Sequence, residues 1–147
     1  MRRVRDAEPG DAEALARLCG QLGYPARAAE MPERLSRIRA DINAKVLVAE
    51  NRGSPAGLIT VHLRYTMNHA APLAQITLLV VDETRRTAGV GRALVTAAEE
   101  WARERGCGRI VVTTALARAG AHAFYERVGY AHTGRRYGKD FPMEPST

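Results

Sequence analysis

The chain has 147 residues, of which 46% are hydrophobic and 26% are charged. This length and composition are typical of one globular domain, and they exclude wholesale disorder. The net charge is +6, and every one of the 22 basic residues except Lys45 and Lys139 is an arginine. This excess of arginine indicates either a polyanionic ligand or a compositional bias, because alanine is abundant as well.

Several protein classes are excluded by the sequence. The longest uninterrupted apolar stretches, such as Leu78 to Val81, are far shorter than the roughly 20 residues that a membrane-spanning helix needs. Acidic residues follow the basic N-terminus at the place where a signal peptide would have its apolar segment. Cys19 and Cys107 have no zinc-site spacing and are too few for a disulfide scaffold. We therefore expect a cytoplasmic protein that holds no metal.

Hydrophobic periodicity and turn residues divide the chain into ten predicted elements. In chain order they are a strand at 3–7, a helix that Asp11 caps and Gly23 ends, a helix from Pro32 that includes Ile42, strands at 46–50, 56–63 and 76–81, a helix from Gly89 to Gly106, a strand at 109–114, a helix from Ala121 to Gly129 and a strand at 130–141. The order is β-α-α-β-β-β-α-β-α-β, with a hairpin at the turn 51–55. It favours an α/β fold of the α+β kind with a mixed sheet over a doubly wound fold. We expect one domain over 1–141 and a loose tail over 142–147.

The most informative segment joins the strand ending at Val81 to the helix after Gly89 and Gly91. The first N–H groups of a helix lack intrahelical partners, and the helix dipole adds partial positive charge there. Glycines let an anion approach the backbone, and the arginines at 85, 86 and 92 supply formal charge. The segment therefore predicts an anion site.

Three other interpretations of this glycine-containing segment are possible: a dinucleotide fingerprint, a Walker loop and a purely structural turn. A dinucleotide fingerprint requires a third glycine where Leu94 stands, and a Walker loop requires Gly-Lys-Ser/Thr where the chain has Arg92 and Ala93. Both motifs are rejected. A tight turn between strand and helix with solvated arginines is the remaining alternative.

Two segments resemble motifs of the GNAT superfamily of N-acetyltransferases. Arg86-Thr87-Ala88-Gly89-Val90-Gly91 is similar to the family's Q/R-x-x-G-x-G/A motif, and the segment from Ala121 to Tyr130 is similar to its A-x-x-F/L-Y-x-x-x-G-F/Y pattern. The resemblance covers the whole chain and is closest to small bacterial members. It implies a central, mostly antiparallel sheet with helices on both faces, and acetyl-CoA as the cosubstrate.

The resemblance also implies which residues hold acetyl-CoA. Main-chain groups of the strand ending at Val81 bond the pantetheine arm, the glycine turn takes the pyrophosphate, and Arg118 stands where many relatives have Asn. The implied cofactor-binding residues are Leu79, Val80, Val81, Arg86, Thr87, Ala88, Gly89, Val90, Gly91, Arg92, Arg118 and Tyr125.

Catalytic roles are implied for two of these residues. The amide of Leu79 matches the donor that holds the thioester carbonyl and stabilises an oxyanion, and Tyr125 matches the general acid that protonates the leaving thiolate. Without the resemblance, Tyr125 beside Phe124 on an apolar helix face is interpreted as core packing. The general base is open, because Gln75 stands where some relatives have Glu. The candidates with a suitable intrinsic pKa are His62, His69 and His122.

The expected function is direct acetyl transfer from acetyl-CoA to a primary amine of a small molecule or a protein. An acyl-CoA-binding domain without catalysis is one alternative. A nucleic-acid-binding module is another, but the arginines alternate with acids and aromatic residues are only 5% of the chain. We therefore expect no nucleic-acid or membrane partner, and a monomer or homodimer.

Overall fold

A computed structural model describes residues 2–84, 89–113, 119–134 and 137–143. The chain separates into two compact units, residues 1–112 and residues 113–147. The elements, in chain order, are β1 (Arg2–Asp6), α1 (Ala12–Gln21), α2 (Met31–Arg39), β2 (Ala44–Asn51), β3 (Ser54–Arg64), β4 (Leu73–Val81), α3 (Val90–Glu104), β5 (Arg109–Val112) and α4 (Ala119–Arg127). The first unit holds the strands and α1 to α3, and α4 belongs to the second.

The last predicted strand, over residues 130–141, is wrong. Its described part, residues 130–134 and 137–141, contains no strand. Gly134 and Gly138 interrupt this stretch, and its described side chains after Tyr130 are all exposed. A segment with no buried face and with glycines in its interior has little to fix it in a sheet.

The five strands form one mixed sheet in the order β1-β2-β3-β4-β5. Neighbouring strands from β1 to β4 are antiparallel, and β5 runs parallel to β4. The predicted hairpin between β2 and β3 is confirmed. Its turn residues Arg52 and Gly53 have φ values of 58° and 79°, the left-handed pair that matches the twist of two-residue hairpins.

Helices cover both faces of this sheet. On one face, the apolar side chains of α1 and α2 pack in a single buried cluster with strand residues such as Val48, Leu58 and Val80. Successive strand residues point to opposite faces, so Gly57 lies on the other face. There α3 approaches so closely that a Cβ on Gly57 would be 2.7 Å from Val90 Cγ1. The expected mostly antiparallel sheet between helices is confirmed.

Two local expectations fail because tertiary contacts prevail over them. Asp11 is the residue before α1, but its carboxylate makes no cap bond to the helix. It instead accepts two hydrogen bonds of 2.8 Å from the guanidinium of Arg5 on β1. The helix from Pro32 ends at Arg39 rather than continuing through Ile42, whose side chain is 79% exposed.

The predicted glycine stops of the first and third helices are confirmed. Gly23 and Gly106 have φ values of 100° and 80°, in the left-handed region that glycine enters without a steric penalty. After α1, Tyr24 N–H donates to the Cys19 carbonyl, and after α3, Cys107 N–H donates to the Ala102 carbonyl, each at 3.0 Å. These backward bonds form the Schellman type of helix ending.

Substituting Gly57 by alanine should destabilise the fold, because the new methyl group would lie 2.7 Å from Val90 Cγ1 and 2.8 Å from Leu94 Cδ1. Overpacking of this kind costs about 1–3 kcal/mol of unfolding free energy, which urea denaturation measures. Gly20→Ala is the matched control, since a Cβ there has no neighbour within 4 Å. It should leave stability unchanged or raise it by up to about 1 kcal/mol. An unchanged midpoint for Gly57→Ala would contradict the close approach.

Candidate active site

The second half of β4 has a strand partner on one side only. On the other side β5 pairs with Leu73 to Ile76, and no strand in the described ranges continues past that point. Asp82 N–H donates to the Ala56 carbonyl of β3 at 2.8 Å. Because backbone groups of successive strand residues alternate in direction, those of Leu79 and Val81 point away from β3. They therefore face the side from which β5 is missing.

The N-terminus of α3 lies just beyond this half-paired strand along the chain. Gly89 precedes the helix with φ 73° and ψ 18°, and Val90 is its first residue. Val90 and Gly91 are buried, whereas the Arg92 side chain is exposed. The predicted residues Arg86, Thr87 and Ala88, together with Arg85, lie outside the described residues. Gly89 thus precedes the fifteen-residue helix α3 in the left-handed conformation, which glycine adopts without a steric penalty.

Asp82, which belongs to neither predicted motif, organises the chain where it leaves β4. Its carboxylate accepts hydrogen bonds from the Thr84 N–H at 3.1 Å and from the Thr84 hydroxyl at 2.9 Å, and Arg17 of α1 lies 3.7 Å away. The hydrogen bond from the Thr84 N–H is the largest cause that holds the pKa of Asp82 below its usual range. An Asp two residues before Thr, directly after a strand, is the local signal for such a turn.

A bulge in β4 divides its paired part from its half-paired part. Thr60 of β3 pairs with Leu78 and Val61 pairs with Ile76, so Thr77 has no opposing residue on β3. The hydroxyls of Thr60 and Thr77 share a hydrogen bond of 2.6 Å. A bulge of this kind re-aims the side chains that follow it, and bulges are frequent beside active sites.

Polar side chains gather on one face of the sheet at this bulge, and we call Thr60, His62, Gln75 and Thr77 the polar patch. His62 pairs directly with Gln75, so their side chains share a face. Thr60 is two residues from His62 and therefore lies on the same face. Leu58, two residues further, belongs to the cluster beneath α1 and α2. The polar patch is thus a continuation of the face that those helices cover.

The three histidine candidates occupy different surroundings. His62 is half-buried, and its pKa is lowered by burial and by the neighbouring charge of Arg64, against a smaller opposing effect of Asp41. His69 is exposed in the loop between β3 and β4. His122 is half-buried on α4 in the second unit. Among the described histidines, only His62 combines partial burial with a place beside Gln75.

Tyr125 lies on α4 and is only 9% exposed. Its ring packs edge-on against Phe124 at 5.3 Å and lies 5.7 Å from the ring of Tyr130. Tyr130 N–H donates to the Tyr125 carbonyl at 2.9 Å, and Gly129 between them has φ 98°. This is again a Schellman ending with its hydrophobic contact, so the motif spacing of tyrosine, glycine and tyrosine has a structural cause. Arg118 lies outside the described residues.

Metal ligation finds no support in the part of the chain that the structure describes. There, no group of three or more His, Cys, Asp or Glu side chains converges on one point. Cys19 and Cys107 are free and half-buried, and burial raises the pKa of both thiols. Within the same described residues, no helix has the length and apolarity that crossing a bilayer requires.

The glycine turn, the bulged strand and the Tyr125 segment lie within a region that matches a known family. The profile of the acetyltransferase (GNAT) family matches residues 13–130. The chain therefore belongs to the GNAT acetyltransferases, a family that uses acetyl-CoA. Among curated protein sequences, none matches this chain.

Solved structures share the fold over almost the whole chain. A transcriptional regulator from Bacillus halodurans C-125 is 26% identical, with a TM-score of 0.87 over 96% of this chain and 100% of its own. Glucosamine-6-phosphate N-acetyltransferase from Arabidopsis thaliana is 20% identical, with a TM-score of 0.82 over 97% and 99%. An aminoglycoside N-acetyltransferase in complex with coenzyme A is 17% identical, with a TM-score of 0.83 over 96% and 95%. These different names show that the fold alone does not define the acceptor.

The cross-strand pair of His62 and Gln75 can be tested by introducing a charge. Gln75→Glu should raise the pKa of His62 by about one unit, because a carboxylate beside the ring favours the imidazolium form. A titration followed by NMR of the His62 ring measures the change. Asn68→Asp adds the same charge on the exposed loop after β3 and should shift the pKa far less. An unmoved His62 pKa in Gln75→Glu would show that the two side chains do not share a face.

Proposed function

We propose that this protein transfers an acetyl group directly from acetyl-CoA to a primary amine of a small molecule or a protein. The observation that carries the proposal is the half-paired end of β4, which leads to a helix N-terminus preceded by a left-handed glycine. An extended, amide-rich arm can add to a strand edge, and a pyrophosphate suits the first turn of a helix. The residues present therefore fit acetyl-CoA.

Each described residue at this end of β4 has a role in holding the cosubstrate. The backbone groups of Leu79 and Val81 bond the pantetheine arm, and Val80, which is 3% exposed, anchors the strand in the cluster beneath α1 and α2. The amides at Gly89, Val90 and Gly91 bind phosphate oxygens, and Arg92 adds a positive charge from the exposed side of the first turn. The residues at 86–88 and Arg118 complete the proposed site.

Acetyl-CoA supplies an acetyl group activated as a thioester, and the chain supplies donors and proton carriers. The amide of Leu79 donates a hydrogen bond to the thioester carbonyl oxygen and stabilises the negative charge that develops there. The phenol of Tyr125 protonates the leaving sulfur. This role of Tyr125 rests on its place in the family motif, and its ring packing with Phe124 and Tyr130 fixes the phenol's orientation within α4.

A non-catalytic acyl-CoA-binding domain is the second candidate, and Gln75 favours it. A neutral amide cannot accept the proton of the acceptor ammonium, so the strand position at which some relatives have a Glu base supplies no base here. Binding of coenzyme A without transfer would be the result expected of such a domain.

One assay separates these functions. The protein is incubated with acetyl-CoA and, in turn, aminoglycosides, polyamines, amino acids and peptide N-termini, and thiol release is followed. Amine-dependent thiol release is the expected result, together with a rise in Tm on adding coenzyme A. A rise in Tm without thiol release for any amine would favour the binding domain. The absence of both effects would overturn the proposal.

Tyr125→Phe should lower kcat by roughly 10-fold to 10³-fold, because it removes the phenolic proton and keeps the ring. The Kd for coenzyme A should hardly change. Thiol-release kinetics and isothermal titration calorimetry provide the two measurements. Tyr137→Phe is the matched control, since that side chain is 89% exposed. An unchanged kcat in Tyr125→Phe would reduce Tyr125 to a packing residue of the helix ending.

A further inference from the structure

The polar patch interrupts a sheet face that is otherwise apolar. Residues of this face that lie under α1 and α2, among them Val46, Val48 and Leu58, are buried in the apolar cluster. The next positions along β3 on the same face are Thr60 and His62. Burying polar groups costs free energy unless they are hydrogen-bonded. Thr60 is satisfied by Thr77, whereas His62 and Gln75 are half-buried and so remain partly accessible.

The cross-strand neighbours of His62 are small or polar. Its partner on β2 is Ala44, which has only a methyl side chain, and its partner on β4 is Gln75. Thr77, on the patch beyond Gln75, is exposed, so the polar patch opens to solvent on the β4 side. The ring therefore stands between a covered apolar face and a solvent-accessible polar edge, beside the bulge where the half-paired part of β4 begins.

The charges that act on His62 favour its neutral form. The described charged groups that affect its pKa are Arg64, two residues along β3, and Asp41 from the loop between α2 and β2. Burial is the largest effect and lowers the pKa of His62, Arg64 lowers it further, and Asp41 opposes them more weakly. Since the ordinary pKa of histidine is about 6.5, a lowered value keeps a free ring nitrogen at pH 7.

We propose that His62 is the general base of the acetyl transfer, in place of the carboxylate that Gln75 does not provide. This inference rests on the proposed function. The acceptor enters as an ammonium, and a ring nitrogen of His62 takes one N–H proton, directly or through one water. The released lone pair of the amine forms the bond to the acetyl carbon, the C–S bond breaks, and its electron pair leaves with sulfur. Tyr125 donates a proton to that sulfur, the acetylated nitrogen releases its surplus proton to water, and water reprotonates the Tyr125 phenolate.

The electrostatics of the site assist this proton transfer. The partial burial that keeps His62 neutral also disfavours an ammonium placed beside it, so the pKa values of acceptor and base approach each other. Gln75 opposite the ring offers a carbonyl oxygen that can accept a hydrogen bond from the same ammonium. The acceptor class that fits is a primary alkylamine protonated in solution.

Two nearly isosteric amines provide the test. Ethylamine is protonated at neutral pH and needs a base, whereas methoxyamine is already neutral and does not. His62→Gln should lower enzymatic thiol release with ethylamine by about 10²-fold to 10⁴-fold and with methoxyamine by less than about threefold. Retained methoxyamine turnover also shows that the variant is folded. His132→Gln, at an exposed histidine of the second unit, is the matched control.

The pH dependence gives an independent readout. In the natural chain, kcat/KM for methoxyamine should be flat through the pKa of His62, and that for ethylamine should fall as the pH drops through it. The NMR titration of the His62 ring supplies that pKa without any turnover. In His62→Gln, the ethylamine profile should lose this step.

The outcomes separate the base from the overall function. Equal losses for both amines, or no loss for either, would overturn the role of His62 while leaving acetyl transfer intact. An ethylamine profile whose step does not coincide with the measured His62 pKa would overturn it as well. Absence of amine-dependent thiol release from the natural chain would instead overturn the proposed function, and the base with it.

Discussion

Strand β4 is bonded fully on one side and only halfway along the other, and the proposed site depends on that asymmetry. β3 holds β4 in place up to Asp82, whereas β5 stops at the level of Ile76. The backbone groups beyond that level remain directed outward, and peptide groups left in this way favour an extended ligand rich in amides. The close approach of α3 to Gly57 sets a helix N-terminus against the same end of the sheet. In the proposed site, these outward backbone groups and the first turn of α3 would hold the thioester arm and the pyrophosphate.

The bulge at Thr77 divides β4 into a first part that is paired with strands on both sides and a second part that is paired, among the described residues, with β3 alone. Before it, Ala74 and Ile76 are buried and belong to the packed sheet. After it, the backbone groups of Leu79 and Val81 point away from β3. The bulge also gathers the hydroxyls of Thr60 and Thr77 next to the pair of His62 and Gln75. This inserted residue thus lies among the polar side chains at which we propose that the amine is deprotonated.

The glycine and the tyrosines of the second family motif have a structural role that is independent of catalysis. Gly129 ends α4 in the left-handed region, and the rings of Tyr125 and Tyr130 close the ending by contact. Tyr125 is thus a packed, buried residue, as the core-packing interpretation expects. This packing is compatible with the proposed acid role, because it orients the phenol. The same ending follows α1 and α3, where no reaction is expected. A motif can therefore carry a fold requirement and a catalytic requirement in the same residues.

The sequence by itself determined the order of the first nine elements, the hairpin and the glycine-marked ends of the first and third helices, because periodicity and glycine conformation act within a few residues. It also identified the family and named the glycine turn, Leu79 and Tyr125, whose roles stay predictions. It failed at Asp11, whose carboxylate binds Arg5 instead of capping α1, and at the last strand, which lacks a buried face. Only the tertiary structure decided the bulge and the pairing of His62 with Gln75. Strand register is set by both partners at once, so residues 13 positions apart in sequence come to share a face that neither strand specifies alone.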